Sequence, residues 1–258
     1  MIGSTIYNWS LIWTYHGQLL DGLFVALKVA LTALVLSVAA GLVLAVWRMA
    51  RPPISWPAAL YINIFRGIPA LVSAIWVYFG WSLVLGIKLT VYQAAVVALV
   101  LLYSAYLSEI FRAALLAIAR GQREAGLALG IRRRQVFVRV IIPQAARIAL
   151  PNIGSMLIGM VKDTSTFMVI GLVEVVYVSE NIVNATFEPF VIYTAAAALY
   201  IFVAFIIDFV FRVLESAVGG RASGRMAMLL TARRRRRLER LAQGGSDVAE
   251  IYEPLGAV

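Results

Sequence analysis

The chain has 258 residues, 62% of them hydrophobic, and a formal net charge of +10 at pH 7. A mean hydropathy of +0.88 excludes an ordinary water-soluble core and predicts a protein that lies in a lipid bilayer. The sequence has no cysteine, which excludes disulfides and thiolate metal sites. It has one histidine, His16, which argues against histidine-based metal binding and acid–base catalysis.

The apolar segments, taken in chain order, predict about five transmembrane helices, since a helix needs roughly 20 apolar residues to cross the hydrocarbon. Residues 1–20 contain neither Lys nor Arg, so we expect no cleavable signal peptide before the first segment. The second segment is interrupted by Arg66, Gly67 and Pro69, and the fourth is short. The predicted spans are residues 22–47, 57–85, 91–119, 145–161 and 190–213.

A further apolar stretch, residues 167–178, contains Glu174. A carboxylate in its middle argues against a full crossing, and we predict a partial or re-entrant element. Such an element is tolerated in a membrane only where protein or a watery cavity covers its backbone.

Arginine placement predicts the topology, because loops on the cytoplasmic side of a membrane carry an excess of Lys and Arg. Arg48 and Arg51 follow the first span, and seven arginines lie from Arg112 to Arg139. Five spans place these arginines and those after Arg212 on one side. We therefore expect an external N-terminus and a cytoplasmic C-terminus in a multi-pass membrane protein.

This topology divides the chain into an external segment (1–18), a membrane domain (19–217) and a basic cytoplasmic tail (218–258). The tail contains five consecutive arginines, residues 233–237. Two readings of the tail stay open. It is either disordered in solvent, or residues 226–241 form a basic helix that lies on anionic lipid.

Within the membrane domain, residues 120–142 form a basic loop with the pattern of two short helices joined at a turn. Ala125, Leu127, Ala128 and Leu129 favour helix, and Gly130 has the chemistry to end that helix in a left-handed conformation. In the second helix, Val136 and Val140 share an apolar face opposite Arg139. Periodicity alone is equally typical of a basic loop that rests on lipid.

The residue identities resemble the permeases of bacterial ATP-binding cassette (ABC) importers, in the branch for polar amino acids. That family has a cytoplasmic Glu-Ala-Ala loop, followed by a glycine and a later Leu-Pro. Here the loop reads Glu124-Ala125-Gly126, then Gly130 and Ile142-Pro143, with Gly126 and Ile142 as mild departures. Further matches between about residues 18 and 215 are Phe65-Arg66-Gly67-Ile68-Pro69, Ala105 to Arg112, Gly121-Gln122, Pro143-Gln144-Ala145 and Lys162-Asp163-Thr164-Ser165.

The resemblance implies an all-α, type I importer transmembrane domain in the bacterial inner membrane, whose loop docks on a separate cytoplasmic ATPase. On that analogy Glu124 makes a polar contact with the ATPase, Leu127 and Leu129 make apolar contacts, and Gly130 forms the turn. The other residues of the predicted coupling segment are Ala125 and Pro143.

The substrate route is expected between two permease subunits, near the membrane midplane. The candidate residues are ionisable or polar side chains beside helix breaks: Lys162, Asp163, Thr164, Ser165, Arg66 and Glu109. A structural alternative stays open for two of them: an ion pair between Glu109 and Arg112, three residues on, and a structural clamp at Arg66.

The implied partners are ABC ATPase subunits, a second permease subunit (identical or homologous), an external solute-binding protein, membrane lipid and a polar amino acid or derivative such as an opine. We expect no cofactor on this chain, no catalysis and no nucleic acid; ATP and Mg²⁺ belong to the ATPase. The alternative functions are a secondary transporter or channel, which needs an ion relay, and a membrane enzyme, which needs a nucleophile, carboxylate pair or metal cluster.

Overall fold

The computed structural model describes residues 7–219, and within that range the chain forms helices and no strands. The expected all-α fold is therefore confirmed. Residues up to Arg212 form one compact unit, and the second unit begins at Val213. The predicted basic tail lies outside the described residues. The helices are α1 (Ser10–Arg48), α2 (Trp56–Gly67), α3 (Ala70–Leu85), α4 (Val91–Leu116), α5 (Arg120–Ala128), α6 (Arg133–Ile170), α7 (Val175–Thr186) and α8 (Pro189–Gly219).

Four of these helices, α1, α4, α6 and α8, are long and apolar enough to cross a membrane, and α2 with α3 gives a fifth span if the bent pair crosses together. Large apolar side chains lie on the outer surface of the long helices; Phe24 is 68% exposed and Phe205 is 69% exposed. Such side chains favour lipid over water as the surrounding solvent. Helix α1 starts at Ser10, so half of the predicted external segment 1–18 is the beginning of this helix.

The second predicted span is broken where the sequence indicated. Helices α2 and α3 meet at an angle of 110°. Ile68 has φ −92° and ψ 130°, an extended conformation between the two helices. The cause is Pro69, because a proline ring disfavours helical backbone at the residue before it.

Helices α1 and α4 pack along each other through small side chains. Ala26, Ala30 and Ala33 of α1 and Ala95 and Ala98 of α4 are fully buried. Lipid is as apolar as the helix surfaces, so helix association in a membrane depends on close van der Waals packing, which small residues allow.

The basic loop differs from its prediction in one respect. Helix α5 is a separate short helix, as expected, but the second predicted helix is the first part of α6, which continues without interruption for 38 residues. A π-helical turn, Phe137–Ile141, comes just before Pro143. This wide turn explains the continuity, because a proline ring in a regular helix collides with the carbonyl four residues earlier, here that of Arg139.

The predicted partial element, residues 167–178, includes the end of α6 and the beginning of α7. Helix α7 has 12 residues, about 18 Å, and is too short to cross about 30 Å of hydrocarbon. Glu174 is fully buried at its N-terminus. Its carboxylate accepts hydrogen bonds from the backbone N–H groups of Val176 (3.0 Å) and Tyr177 (2.9 Å) and from the Tyr200 hydroxyl of α8 (2.6 Å).

We expect Glu174→Ala to lower the free energy of unfolding by about 2–4 kcal/mol, because it removes a helix cap and leaves the hydroxyl of the half-buried Tyr200 without its acceptor. Thermal unfolding of the detergent-solubilised chain measures the effect. Glu180→Ala, in the same helix, is the matched control, since its carboxylate makes none of these bonds. Equal melting temperatures for the two variants would contradict the capping role.

Candidate functional site

The turn between α5 and α6 has the geometry that the sequence predicted for Gly130. Its φ is +76°, a left-handed conformation that glycine adopts without a Cβ penalty. The Gly130 N–H donates to the Leu127 carbonyl (3.0 Å), and the Ile131 N–H donates to the Gly126 carbonyl (3.2 Å). These two bonds define a Schellman motif, which satisfies the last carbonyls of α5 and fixes where the chain turns.

Gly126, the departure from the family's loop pattern, lies against Val136 in the first turn of α6. A Cβ at position 126 would be 2.8 Å from Val136 Cγ2 and 3.1 Å from Cγ1. Both residues are buried, with Val136 only 1% exposed. The glycine therefore lets α5 pack directly on the beginning of α6.

The predicted coupling residues divide into two groups. Glu124, Ala125 and Leu129 are exposed, Leu129 by 79%, and are available to a partner. Leu127 is half-buried and lines a cavity of about 550 Å³ between α5 and the ends of the membrane helices. Pro143 is exposed within α6.

Arg66 and Glu109 line the same open cleft of about 580 Å³, together with Tyr106 and Asn152. The backbone carbonyl of Arg66 accepts a hydrogen bond from the Tyr106 hydroxyl (3.0 Å), and its guanidinium lies 5.5 Å from the centre of the Tyr106 ring. Glu109 pairs with Arg112, at 2.6 Å between Oε2 and Nη2. The pairing that the sequence left open is therefore present.

A second cavity of about 250 Å³ adjoins this cleft and shares Tyr106 and Met156 with it. Asp163 lies here and accepts a 3.0 Å hydrogen bond from the Tyr103 hydroxyl. Gly159, one turn earlier on α6, leaves room for that hydroxyl, which would be 2.7 Å from an added Cβ. We refer to the two cavities together as the tyrosine cleft.

Sequence reasoning missed Tyr103, Tyr106, Asn152 and Met156, although the two tyrosines stand three residues apart in an apolar span. A hydroxyl in such a span needs a hydrogen-bond partner, and this requirement could have indicated from the sequence that the two tyrosines belong to a polar site. The remaining predicted pathway residues do not line the tyrosine cleft. Lys162 is exposed; Thr164 is buried and donates to the Val161 carbonyl (2.7 Å), while Ser165 donates to the Lys162 carbonyl (2.6 Å).

Comparison with known families gives one match over most of the chain. Residues 12–220 match the model of the binding-protein-dependent transport system inner membrane component. The matched region contains every described helix except the first two residues of α1, and it includes both α5 and the tyrosine cleft.

Individual relatives are amino-acid transport proteins. The chain is 35% identical over 215 residues to the glutamine transport system permease protein GlnP of Escherichia coli (strain K12), covering 81% of this chain and 96% of that protein. It is 34% identical over 213 residues to the octopine transport system permease protein OccM of Rhizobium meliloti, covering 79% and 87%. A crystal structure of an amino acid ABC transporter with histidines has a TM-score of 0.76 and 31% identity, covering 82% of this chain and 99% of that one.

The close approach of Gly126 and Val136 predicts a specific coupling between the two positions. Gly126→Ala places a methyl group against a stiff β-branched side chain, at a cost of about 1–3 kcal/mol, which opposes a helix-propensity gain of about 1 kcal/mol. Val136→Ala removes the obstacle. We expect the double variant to be more stable than the sum of the single changes by about 1–2 kcal/mol.

Melting temperatures in detergent and limited proteolysis at the α5–α6 turn measure this coupling. Gly121→Ala is the matched control, because a Cβ at position 121 has no neighbouring atom within 4 Å. Additive effects of the two single changes would show that α5 does not rest on Val136.

Proposed function

Because this chain belongs to the family of binding-protein-dependent transport system inner membrane components, we propose from that premise how its residues serve transport. The chain is a permease subunit of an ABC importer for amino acids, as the glutamine and octopine permeases among its relatives indicate. The observation that carries this conclusion is the family match over residues 12–220. The alternative of a secondary transporter or channel finds no support in it.

On this proposal, a partner protein supplies the energy for transport. ATP and Mg²⁺ bind a separate ATPase subunit, and this chain transmits the motion of that ATPase to the membrane helices. The exposed residues Glu124, Ala125 and Leu129 contact that ATPase. The physical support is the rigidity of the element that bears them. A Schellman turn and the Gly126–Val136 contact fix α5 to α6, so a force on α5 moves α6 rather than being absorbed in a loose loop.

The arginines that predicted the topology also indicate on which side of the membrane α5 lies. Basic residues are concentrated at one end of the membrane helices. Arg48 and Arg51 lie at and just after the end of α1, and the basic residues from Arg120 to Arg139 follow α4 and extend into the beginning of α6. The positive-inside rule places this side in the cytoplasm, where an ATPase has its ATP. The N-terminus and α7 then lie toward the outside, where a solute-binding protein delivers substrate.

Gly130→Pro and Glu124→Lys test the coupling role. Proline fixes φ near −65° and has no N–H, so it prevents both the +76° conformation and the bond to Leu127. Glu124→Lys reverses an exposed charge without a change inside the bundle. We expect each variant to insert in the membrane at wild-type levels and to lose most substrate-stimulated ATP hydrolysis and uptake in proteoliposomes.

Gly121→Ala, an exposed change in the same helix, is the control and should transport normally. Wild-type uptake with wild-type ATPase stimulation in both Gly130→Pro and Glu124→Lys would remove the coupling assignment.

The tyrosine cleft is the proposed substrate route. Two side chains of opposite charge line the two cavities that share Tyr106: Arg66 contacts the Tyr106 ring, and Asp163 accepts a hydrogen bond from the neighbouring Tyr103. The α-carboxylate and α-ammonium of an amino acid need one cationic and one anionic partner. The cleft is open to one side, and we propose that a second permease subunit, identical or homologous, closes it there. Lys162, Thr164 and Ser165 adjoin Asp163 on α6 and belong to the proposed route as the helical segment that holds Asp163.

Asp163→Asn tests this assignment. A hydrogen bond to a charged group contributes about 1.5–3 kcal/mol, so we expect the specificity constant for uptake to fall about 10- to 100-fold for every substrate, because all share the α-ammonium. Asp21→Asn, which makes the same charge change on an exposed site of α1, is the control. Equal uptake by the two variants would exclude Asp163 from substrate contact.

A further inference from the structure

The cavity behind α5 is separate from the tyrosine cleft and has a chemistry of its own. It has a volume of about 550 Å³, which lies in the range of cavities that hold small molecules. Four arginines line it: Arg120, Arg123, Arg133 and Arg134. No acidic side chain is among the residues that line it. We call it the arginine groove.

These arginines have no ionic partner in the part of the chain that the structure describes. The ion pairs found across residues 7–219 are Glu109–Arg112 and Asp208–Arg212. Four like charges around one cavity repel each other, and this repulsion is relieved by an anion that accepts hydrogen bonds from several guanidinium groups.

The rest of the groove is apolar and begins where two membrane helices end. Leu115 and Leu116 are the last residues of α4, and Met49 follows the last residue of α1. Leu116 is 62% exposed and Met49 is 48% exposed. The groove therefore joins a basic rim to an apolar surface that continues into the membrane-spanning part of the bundle.

We infer that the arginine groove binds an anionic phospholipid of the inner leaflet, with its phosphate between the arginines and its acyl chains along α4 and the beginning of α6. An anionic headgroup and a hydrocarbon tail are the two features that this lining recognises together. The inference rests on the proposed orientation, in which α5 lies on the cytoplasmic side. The bound lipid would fill the space between α5 and the membrane helices.

An acidic surface of the ATPase could also fill the arginine groove, but the distribution of residues around α5 favours a lipid there. Arg120, Arg123 and Leu127 follow helical spacing of three and four and lie on the groove side. Ala125 and Leu129, also four apart, lie on the opposite side of the helix, and Glu124 lies between the two sides. An ATPase that binds the side of α5 with Ala125 and Leu129 therefore leaves the side that lines the groove accessible to a membrane lipid.

Native mass spectrometry of the full-length chain extracted from vesicles of phosphatidylcholine and phosphatidylglycerol tests the inference. The groove variant is Arg120→Gln with Arg133→Gln. The matched control is Arg132→Gln with Arg139→Gln, which removes the same charge from exposed arginines that do not line the groove. Arg120→Lys with Arg133→Lys keeps the charge and separates a lost site from a misfolded chain.

We expect the groove variant to bind phosphatidylglycerol at least about 30-fold more weakly, because each substituted arginine loses charge-assisted hydrogen bonds to the phosphate that an arginine outside the groove does not make. The control should retain wild-type binding, and the lysine variant most of it. Equal lipid loss in groove and control variants overturns the inference and shows general surface attraction. Unchanged lipid binding with lost ATPase binding also overturns it and assigns the arginines to the ATPase. In either case transport that still depends on Glu124 and Gly130 leaves the proposed function standing.

Discussion

The contact between Gly126 and Val136 joins the short helix α5 to the beginning of a helix that crosses the whole bundle. Val136 is nearly fully buried under α5, and the same helix, α6, carries Met156 and Asp163 in the wall of the tyrosine cleft. Because α6 is continuous over 38 residues, a displacement of α5 either moves that wall or bends the helix. The π-helical turn Phe137–Ile141 is the irregular turn nearest to α5, and such turns are frequent at functional sites.

The same contact explains a residue that looks unfavourable in the sequence. A glycine inside a helix costs about 1 kcal/mol relative to alanine, and the family's loop has alanine at the position of Gly126. At this position the glycine is favourable, because a Cβ would collide with Val136 and prevent the two helices from packing together. The compensating residue lies ten positions away, across a turn, and no local pattern in the sequence connects the two.

Features that depend on local chemistry were predictable: the break at Pro69, the left-handed turn at Gly130 and the partial element around Glu174. Features that depend on contacts between distant residues were not. The sequence shows that Glu174 cannot lie in lipid, but not that it is buried in protein and bound by Tyr200. It places Pro143 at the entrance to a membrane helix, but a π-helical turn has no sequence signature, so the continuity of α6 was missed. Tyr103 and Asp163, sixty residues apart, meet only in the folded chain.

Charge in the tyrosine cleft is distributed unequally among its ionisable residues, and this inequality decides which of them suit a substrate. Glu109 forms an ion pair with Arg112 one helical turn away, so the pair brings no net charge to the cleft. The guanidinium of Arg66 and the carboxylate of Asp163 instead contact neutral groups, the ring of Tyr106 and the hydroxyl of Tyr103. A neutral hydrogen-bond donor orients a carboxylate but does not cancel its charge, and an aromatic ring does the same for a guanidinium. On the proposed function, a zwitterion completes both interactions at once, whereas a ligand with only one charge leaves the opposite residue without an ionic partner. That asymmetry favours amino acids over singly charged solutes without any contact to the amino-acid side chain, which is consistent with a single family serving substrates as different as glutamine and octopine.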